Sequence, residues 1–106
     1  MTLDTVKGLL YFPVANPTPD WEDGSRLGDN LYTASKVVLD VRTGKYAWHH
    51  QITPHDTHDY DLTQASPQFT ATIGGRQRNL IVTVGKEGIL HTLDRDTREV
   101  LYKVPV

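Results

Sequence analysis

The chain has 106 residues, of which 38% are hydrophobic and 23% charged, and it carries a formal net charge of −2 at pH 7. This length allows at most one ordinary domain, and so small a charge gives no electrostatic basis for binding nucleic acid or an acidic membrane surface. The chain has no cysteine, which excludes disulfides and thiolate metal sites, and no apolar run approaches the roughly 20 residues that span a bilayer.

The first half of the chain alternates strand-like runs with turn residues. We predict strands over residues 9–14, 31–41 and 45–52, a loop over residues 17–30 that is rich in proline, glycine and aspartate, and a turn at Thr43 and Gly44. The last two strands, joined by that turn, form a predicted hairpin.

The second half repeats this plan after a loop over residues 53–67. We predict strands over residues 69–73, 80–84, 89–93 and 100–104, with turns at residues 74–75, 85–88 and 94–98. No long segment keeps helical periodicity. The expected fold class is therefore all-β, an antiparallel meander.

An internal repeat relates the two halves. Residues 39–48 align with residues 93–102, an offset of 54 residues from Asp40 to Asp94. A period near 50 in an all-β chain is typical of propeller blades of about four strands. Arg98 stands where the first copy has Gly44, so we expect the second turn to use a different geometry.

Two blades do not close a propeller, which needs at least four. We therefore expect residues 1–106 to form a single partial domain, with a first blade over roughly 1–52 and a second over 53–106. Remaining blades or other subunits are needed to cover the open blade faces. A piece of a larger propeller is favoured over an assembling subunit.

Five residues able to bind a metal or move a proton lie within residues 55–61. The segment 53–61 reads Thr-Pro-His-Asp-Thr-His-Asp-Tyr-Asp. Carboxylates packed this closely repel one another, which raises at least one pKa unless a cation or a donor shares the site. A solvated acidic loop is the alternative that these residues alone leave open.

Four motifs in register carry a resemblance to a known family. They are Tyr-Phe-Pro-Val-Ala-Asn-Pro at residues 11–17, Gly-Asp-Asn-Leu-Tyr at 28–32, Thr-Pro-His-Asp-Thr-His-Asp-Tyr at 53–60, and Gly-Lys-Glu-Gly at 85–88 followed by Leu-Asp-Arg at 93–95. The chain resembles part of a pyrroloquinoline quinone (PQQ) dependent alcohol dehydrogenase, an eight-bladed quinoprotein propeller of the methanol and ethanol dehydrogenase type. Three residues depart from the family pattern: Ala15 replaces glycine, His58 replaces tryptophan and Glu87 replaces asparagine.

The resemblance implies roles for four residues. Asn16 matches a metal ligand, Asp59 the catalytic carboxylate beside the metal and the quinone, and Lys86 the cation that contacts PQQ. Asp61 matches a second aspartate that lanthanide-using members carry, so the implied metal is a lanthanide or Ca²⁺, with the lanthanide favoured. Oxygen ligands of this kind suit a hard cation. His55 and Asp56 are expected to orient the loop rather than to bind metal.

The implied reaction is oxidation of an alcohol to an aldehyde by hydride transfer to metal-bound PQQ, with Asp59 as the base. A cytochrome c-type electron acceptor and a periplasmic location are implied only by the resemblance, because residues 1–7 show no signal peptide. By the family's spacing, the stacking tryptophan, a metal-binding glutamate and a cysteine pair would precede Met1. We therefore predict that the chain is inactive alone.

Two other functions are consistent with some of these residues. A non-catalytic propeller scaffold or assembly segment would tolerate loss of Asp59 and Asn16, whereas an enzyme would not. A His-Asp metal phosphohydrolase is suggested by the two His-Asp pairs, but such enzymes hold their ligands on helices, and Pro54 with its flanking strands disfavours it. The sequence does not specify the alcohol, the electron acceptor or the oligomeric state.

On the strand over 45–52, His49 and His50 are expected to face opposite sides, and Trp48 to dock a neighbouring blade.

Overall fold

In a computed structural model, the described residues form eight antiparallel strands in two four-stranded sheets. The structure describes residues 1–15, 17–18, 24, 26–62 and 64–106. The strands are β1 (Thr2–Asp4), β2 (Leu9–Val14), β3 (Ser35–Asp40), β4 (Tyr46–Gln51), β5 (Gln68–Ile73), β6 (Arg76–Val84), β7 (Ile89–Asp94) and β8 (Val100–Pro105). Each sheet runs in chain order, β1-β2-β3-β4 and β5-β6-β7-β8. The prediction of an all-β antiparallel meander is confirmed. Within these residues no helix has the length and apolarity to cross a bilayer.

Three strands differ from the sequence prediction by more than one residue. Strand β1 was not predicted, because three residues are too few to show periodicity. Strand β3 begins at Ser35 rather than at residue 31, since the preceding residues form a turn in which the Thr33 amide donates to the Asn30 carbonyl at 2.9 Å. Strand β6 begins early because Ile73 pairs directly with Arg76, so that Gly74 and Gly75 alone close the hairpin.

One turn geometry recurs three times along the chain. In each copy an aspartate carboxylate accepts a hydrogen bond from the backbone N–H two residues further on. Asp4 accepts from Val6 at 3.1 Å, Asp40 from Arg42 at 2.9 Å and Asp94 from Asp96 at 2.8 Å. The backbone carbonyl of the same aspartate accepts the N–H four residues on, at 2.7 to 2.8 Å. These aspartates therefore shape the turns through their own hydrogen bonds. The copy at Asp4 was not recognised in the sequence.

The expectation that Arg98 changes the second turn is wrong. Its φ of 65° lies beside the 73° of Gly44, and both amides make the same bond to their aspartate carbonyl. A left-handed conformation costs a non-glycine residue roughly 1 to 2 kcal/mol. The Arg98 guanidinium lies 5.6 Å from the centroid of the Trp48 ring, a cation–π contact that offsets part of that cost.

The core lies between the two sheets. Its buried members are Tyr11, Val38 and Trp48 from the first sheet and Ile81 and Leu93 from the second. Tyr11 and Trp48 meet edge to face with centroids 5.8 Å apart, an arrangement that the ring quadrupoles favour. Trp48 shares this cluster with Ile81 and Leu93, and Arg98 lies over its ring, which confirms its expected role in docking the neighbouring sheet.

Buried polar contacts also join the sheets. Arg95, in the turn that follows β7, donates through Nη1 to Asp4 Oδ2 at the end of β1 at 2.6 Å, and both side chains are about nine-tenths buried. The same nitrogen donates to Gln68 Oε1 at 3.1 Å. Separating a buried ion pair would leave each charge buried without its partner, which is costly. This contact therefore resists a shift of one sheet relative to the other.

Candidate functional site

The loop over residues 53–61 is organised around the buried carboxylate of Asp56. One of its oxygens accepts the His58 backbone N–H at 2.8 Å and the other accepts that of Tyr60 at 2.6 Å. The side chain is 1% exposed. Because both oxygens are committed to the loop backbone, Asp56 orients the loop, which confirms the role expected from the sequence.

His55 attaches this loop to the segment over residues 28–30. Its backbone N–H donates to the Asp29 carbonyl at 3.0 Å, and its Nδ1 contacts the Gly28 carbonyl oxygen. His55 and Asp59 both adopt positive φ, 47° and 58°. Asp tolerates this region better than most residues, and the hydrogen bonds to Asp56 and Asp29 hold the loop in this shape. The backbone turn at Asp59 directs its carboxylate toward the turn over residues 85–88, where it meets Lys86.

Lys86 brings together the two loop carboxylates that the sequence singled out. Its Nζ lies 2.9 Å from Asp61 Oδ2 and 3.3 Å from Asp59 Oδ2. The hydrogen bond to Asp61 and, second, the one to Asp59 raise the pKa of the Lys86 ammonium above its usual value. Three of the four predicted site residues therefore meet at one point. The fourth, Asn16, lies outside the described residues.

Gly85 permits this close approach of loop and turn. A Cβ at this position would overlap Ile52 Cδ1 and would lie 2.8 Å from Glu87 Oε2 and 3.3 Å from the Asp61 carbonyl oxygen. The Lys86 backbone N–H donates to that same carbonyl at 3.3 Å. A side chain at residue 85 would push the Asp61 loop away from the turn.

A cavity of about 230 Å³ lies beside this cluster, lined by Asp61, Gln64, Val84, Gly85 and Lys86. Gln64 was not predicted as a site residue, because it belongs to no motif and lies in the connection between the sheets. Its backbone carbonyl also accepts a hydrogen bond from the buried Lys36 ammonium at 2.9 Å, and burial lowers the pKa of Lys36 to about 8. The cavity is thus bordered by charged groups of both signs.

The carboxylates of Asp59 and Asp61 fit part of a hard-cation site. Both already contact one ammonium, and carboxylate oxygens are the ligands that Ca²⁺ and similar ions take. Such ions need six to eight oxygen ligands, more than two side chains supply. Among the described residues no three His, Cys, Asp or Glu side chains form a metal-binding group.

A histidine pair, in which His91 is buried and His50 is half-buried, joins the sheets behind the Lys86 turn. His50 Nε2 of β4 lies 2.9 Å from His91 Nδ1 of β7. Burial lowers the pKa of His50 to about 4 and lowers that of His91. On the opposite side of β4, His49 Nδ1 lies 2.6 Å from the Tyr46 hydroxyl, so the prediction that His49 and His50 face opposite sides is confirmed. Sequence spacing could not indicate the pair, because its members are 41 residues apart.

Comparison with known proteins places this geometry in a family. Residues 1–105 match the model described as the β-propeller domain of PQQ glucose, ethanol and alcohol dehydrogenases. The chain is 42% identical over 98 residues to the quinohemoprotein alcohol dehydrogenase of Comamonas testosteroni, covering 90% of this chain and 14% of that protein. It superposes on the quinohemoprotein alcohol dehydrogenase ADHIIG of Pseudomonas putida HK5 with a TM-score of 0.92 and 34% identity, over 99% of this chain and 16% of that one.

A third similar structure is a europium-containing methanol dehydrogenase. Its TM-score is 0.90 and its identity 28%, over 98% of this chain and 18% of that one. The two four-stranded sheets therefore correspond to propeller blades. The chain spans about one sixth of the length of each relative it matches.

Proposed function

This chain belongs to the PQQ-dependent alcohol dehydrogenase β-propeller family, and from that membership we propose that it contributes two blades and part of the active site of an enzyme that oxidises an alcohol to an aldehyde. The observation that carries the proposal is the meeting of Asp59, Asp61 and Lys86 beside one cavity. These are the residues to which the family resemblance assigns the base, the metal ligand and the PQQ contact.

Asp59 is the proposed general base. Its carboxylate is one-third exposed and contacts Lys86, which lines the cavity, so a substrate hydroxyl can reach it. PQQ, when bound, would supply the hydride acceptor, and Asp59 would take the hydroxyl proton of the alcohol. Lys86 supplies a fixed positive charge, which stabilises negative charge developing on a neighbouring oxygen atom.

Asn16, Asp59 and Asp61 are the proposed metal ligands in this chain, and the ion would supply Lewis-acid polarisation of a carbonyl oxygen. Either a lanthanide or Ca²⁺ suits oxygen ligands. Two carboxylates place more negative charge at the site than one, which favours a trivalent ion. The europium-containing relative supports this assignment by analogy.

Three further expectations remain proposals. The chain is about one sixth as long as its relatives, so we propose that it does not turn over alcohol without the remaining blades. A cytochrome c-type acceptor is proposed because relatives of the chain are quinohemoproteins. A periplasmic location is proposed from the family resemblance alone.

A chimera tests the proposed function. Residues 1–105 replace the matching segment of the Comamonas testosteroni quinohemoprotein alcohol dehydrogenase, and PQQ-dependent dye reduction is followed with an alcohol substrate. We expect measurable activity that Asp59→Asn lowers at least about a hundredfold, a typical loss for a removed general base. The matched control is Asp29→Asn, an exposed aspartate whose backbone carbonyl, not its carboxylate, makes the observed contacts. A folded chimera that is inactive, or whose activity survives Asp59→Asn, would indicate a scaffold segment instead.

A further inference from the structure

The carboxylate of Glu87 determines which way the hydrogen bond between His50 and His91 points. His91 presents Nδ1 to His50 at 2.9 Å and Nε2 to Glu87 Oε1 at 3.6 Å. The side chains of His91 and Glu87 are 2% and 9% exposed. Among the described residues, neither His91 Nε2 nor Glu87 Oε1 has a hydrogen-bond partner. At 3.6 Å the two atoms are too far apart for a hydrogen bond, and electrostatic attraction is the interaction open to them.

A neutral imidazole carries one proton on one of its two nitrogens. If His91 carried it on Nδ1, the lone pair of Nε2 would face the Glu87 carboxylate and the two would repel. With the proton on Nε2, the N–H points at the carboxylate and Nδ1 accepts from His50. His50 then carries its own proton on Nε2. Glu87 thus selects one tautomer for both rings.

Glu87 also contacts both segments that form the candidate site. It follows Lys86 directly in the chain, and its Oε2 accepts a hydrogen bond from Thr53 Oγ1, at the start of the loop that carries Asp59 and Asp61, at 3.4 Å. Its side chain therefore connects three parts of the molecule: the Lys86 turn, the Asp59 loop and the interface between β4 and β7.

We propose that Glu87, held by the directed chain His50–His91–Glu87 and by Thr53, is a positioning residue that sets the Lys86 turn against the Asp61 loop. The catalytic meaning of that position rests on the proposed function, whereas the contact itself does not. An asparagine, which the family pattern has in this place, is shorter and uncharged. It could not select the His91 tautomer from the same backbone position.

The first test is the tautomeric state of the two rings. Long-range ¹H–¹⁵N NMR spectra of the 106-residue chain are expected to show His50 and His91 as neutral Nε2–H tautomers at pH 7. Glu87→Gln removes the carboxylate charge at nearly constant shape, and we expect it to introduce the Nδ1–H form of His91. An Nδ1–H tautomer of His91 in the unaltered chain, or ring signals like those of an unfolded peptide, would overturn the proposal.

The second test is hydrogen exchange at the Lys86 amide, which donates to the Asp61 carbonyl. We expect Glu87→Ala and His50→Leu each to lower its protection about tenfold. His50→Gln retains a donor in place of Nε2, so protection should stay within about twofold of the parent chain. Glu99→Ala is the matched control, because Glu99 is 61% exposed and lies at the opposite end of the second sheet.

Unchanged protection of the Lys86 amide in Glu87→Ala would overturn the proposal. If Glu87→Ala instead exposes every amide, the tautomer spectrum of the unaltered chain decides the question by itself. Neither measurement involves PQQ, metal or alcohol. A failure of the chimera would therefore refute the proposed function without affecting this result, and the reverse also holds.

Discussion

Lys86 and Asp61 are joined twice, by the ammonium and carboxylate at 2.9 Å and by the Lys86 amide and Asp61 carbonyl oxygen at 3.3 Å. The backbone contact sets the distance between turn and loop, and the side-chain contact places a cation on a carboxylate proposed to bind metal. An ammonium and a metal ion compete for the same oxygen atoms, so the ion pair and the metal site are linked.

Removing the Lys86 charge is expected to strengthen cation binding. In Lys86→Met the carboxylates of Asp59 and Asp61 lose their competing ammonium, and repulsion between that ammonium and an incoming metal ion disappears. We expect the Kd for Tb³⁺, measured by sensitised luminescence, to fall about fivefold at low ionic strength. Lys45→Met, an exposed change in the β3–β4 turn, is the control. A weaker affinity in Lys86→Met would contradict competition.

Removing the Asp61 charge is expected to discriminate between metals. Asp61→Asn keeps the shape and one oxygen but deletes a negative charge, which a trivalent ion requires more than a divalent ion does. We expect La³⁺ affinity to fall at least about tenfold and Ca²⁺ affinity to fall less, measured by calorimetry on the same protein. Equal losses for both ions would remove the basis for preferring a lanthanide.

Gly85→Ala is expected to separate the loop from the turn. The added Cβ meets Ile52, Glu87 and the Asp61 carbonyl oxygen, and the carbonyl belongs to backbone that cannot simply rotate away. We expect a loss of about 1 to 3 kcal/mol in the free energy of unfolding, measured with urea.

Gly74→Ala provides the control for that measurement, since nothing lies within 4 Å of its added Cβ. Its φ of 62° makes any loss there purely conformational, of about 1 kcal/mol. Only Gly85→Ala is expected to lower hydrogen-exchange protection at the Lys86 amide as well. Equal behaviour of the two variants would show that residue 85 is not sterically restricted.

The repeated turn allows a paired test of backbone strain. Gly44→Ala introduces a left-handed non-glycine residue with free space around it, so we expect a loss of about 1 kcal/mol. Arg98→Gly relieves the same strain but removes the cation–π contact with Trp48, worth about 0.5 to 1 kcal/mol, so the two effects nearly cancel. A large stabilisation in Arg98→Gly would show that the Trp48 contact contributes nothing.

Acid is expected to destabilise the interface between the sheets through His50. Burial first, and then the charges of His91, Lys103 and His49, lower its pKa from 6.5 to about 4. Between pH 4 and pH 6.5, the unfolded chain therefore binds a proton at His50 that the folded chain does not bind. The contribution of neutral His50 to the free energy of unfolding is fully present above pH 6.5 and decreases as the pH falls toward 4.

The size of this loss follows from about 1.36 kcal/mol per pKa unit. After discounting for the partial exposure of His50, we expect about 1 to 2 kcal/mol. Urea unfolding at several pH values, compared with His50→Gln, measures it. The variant should show a shallower dependence over this range. Glu87 opposes the effect at His91, because its carboxylate favours the protonated ring.

The strands and turns were predictable where the signal is local. Alternating apolar residues and the turn glycines predicted seven of the eight strands, and Asp40 and Asp94 marked equivalent turns. The prediction of a different turn geometry at Arg98 was wrong, because arginine by itself disfavours a left-handed conformation. The Asp94 hydrogen bonds and the contact with the Trp48 ring nevertheless stabilise one here. Propensity describes the isolated residue and does not include such partners.

The site was predictable in its residues but not in its contacts. The motifs selected Asp59, Asp61 and Lys86, and the structure brings these three together. The sequence has no comparable motif at Gln64, Glu87 or His91. The contribution of these residues to the site depends on which face of a strand or turn meets the other sheet. That relation exists only once the sheets have packed.

The amino-acid sequence by itself determined the all-β class, the spacing of the strands and the family, because each depends on short segments whose conformation is largely local. The tertiary structure alone decided that His50 meets His91, that Arg95 pairs with Asp4, and that Lys86 bridges two carboxylates. These contacts join residues 25 to 91 positions apart. Their geometry follows from how two sheets bury a shared core, which no local pattern encodes.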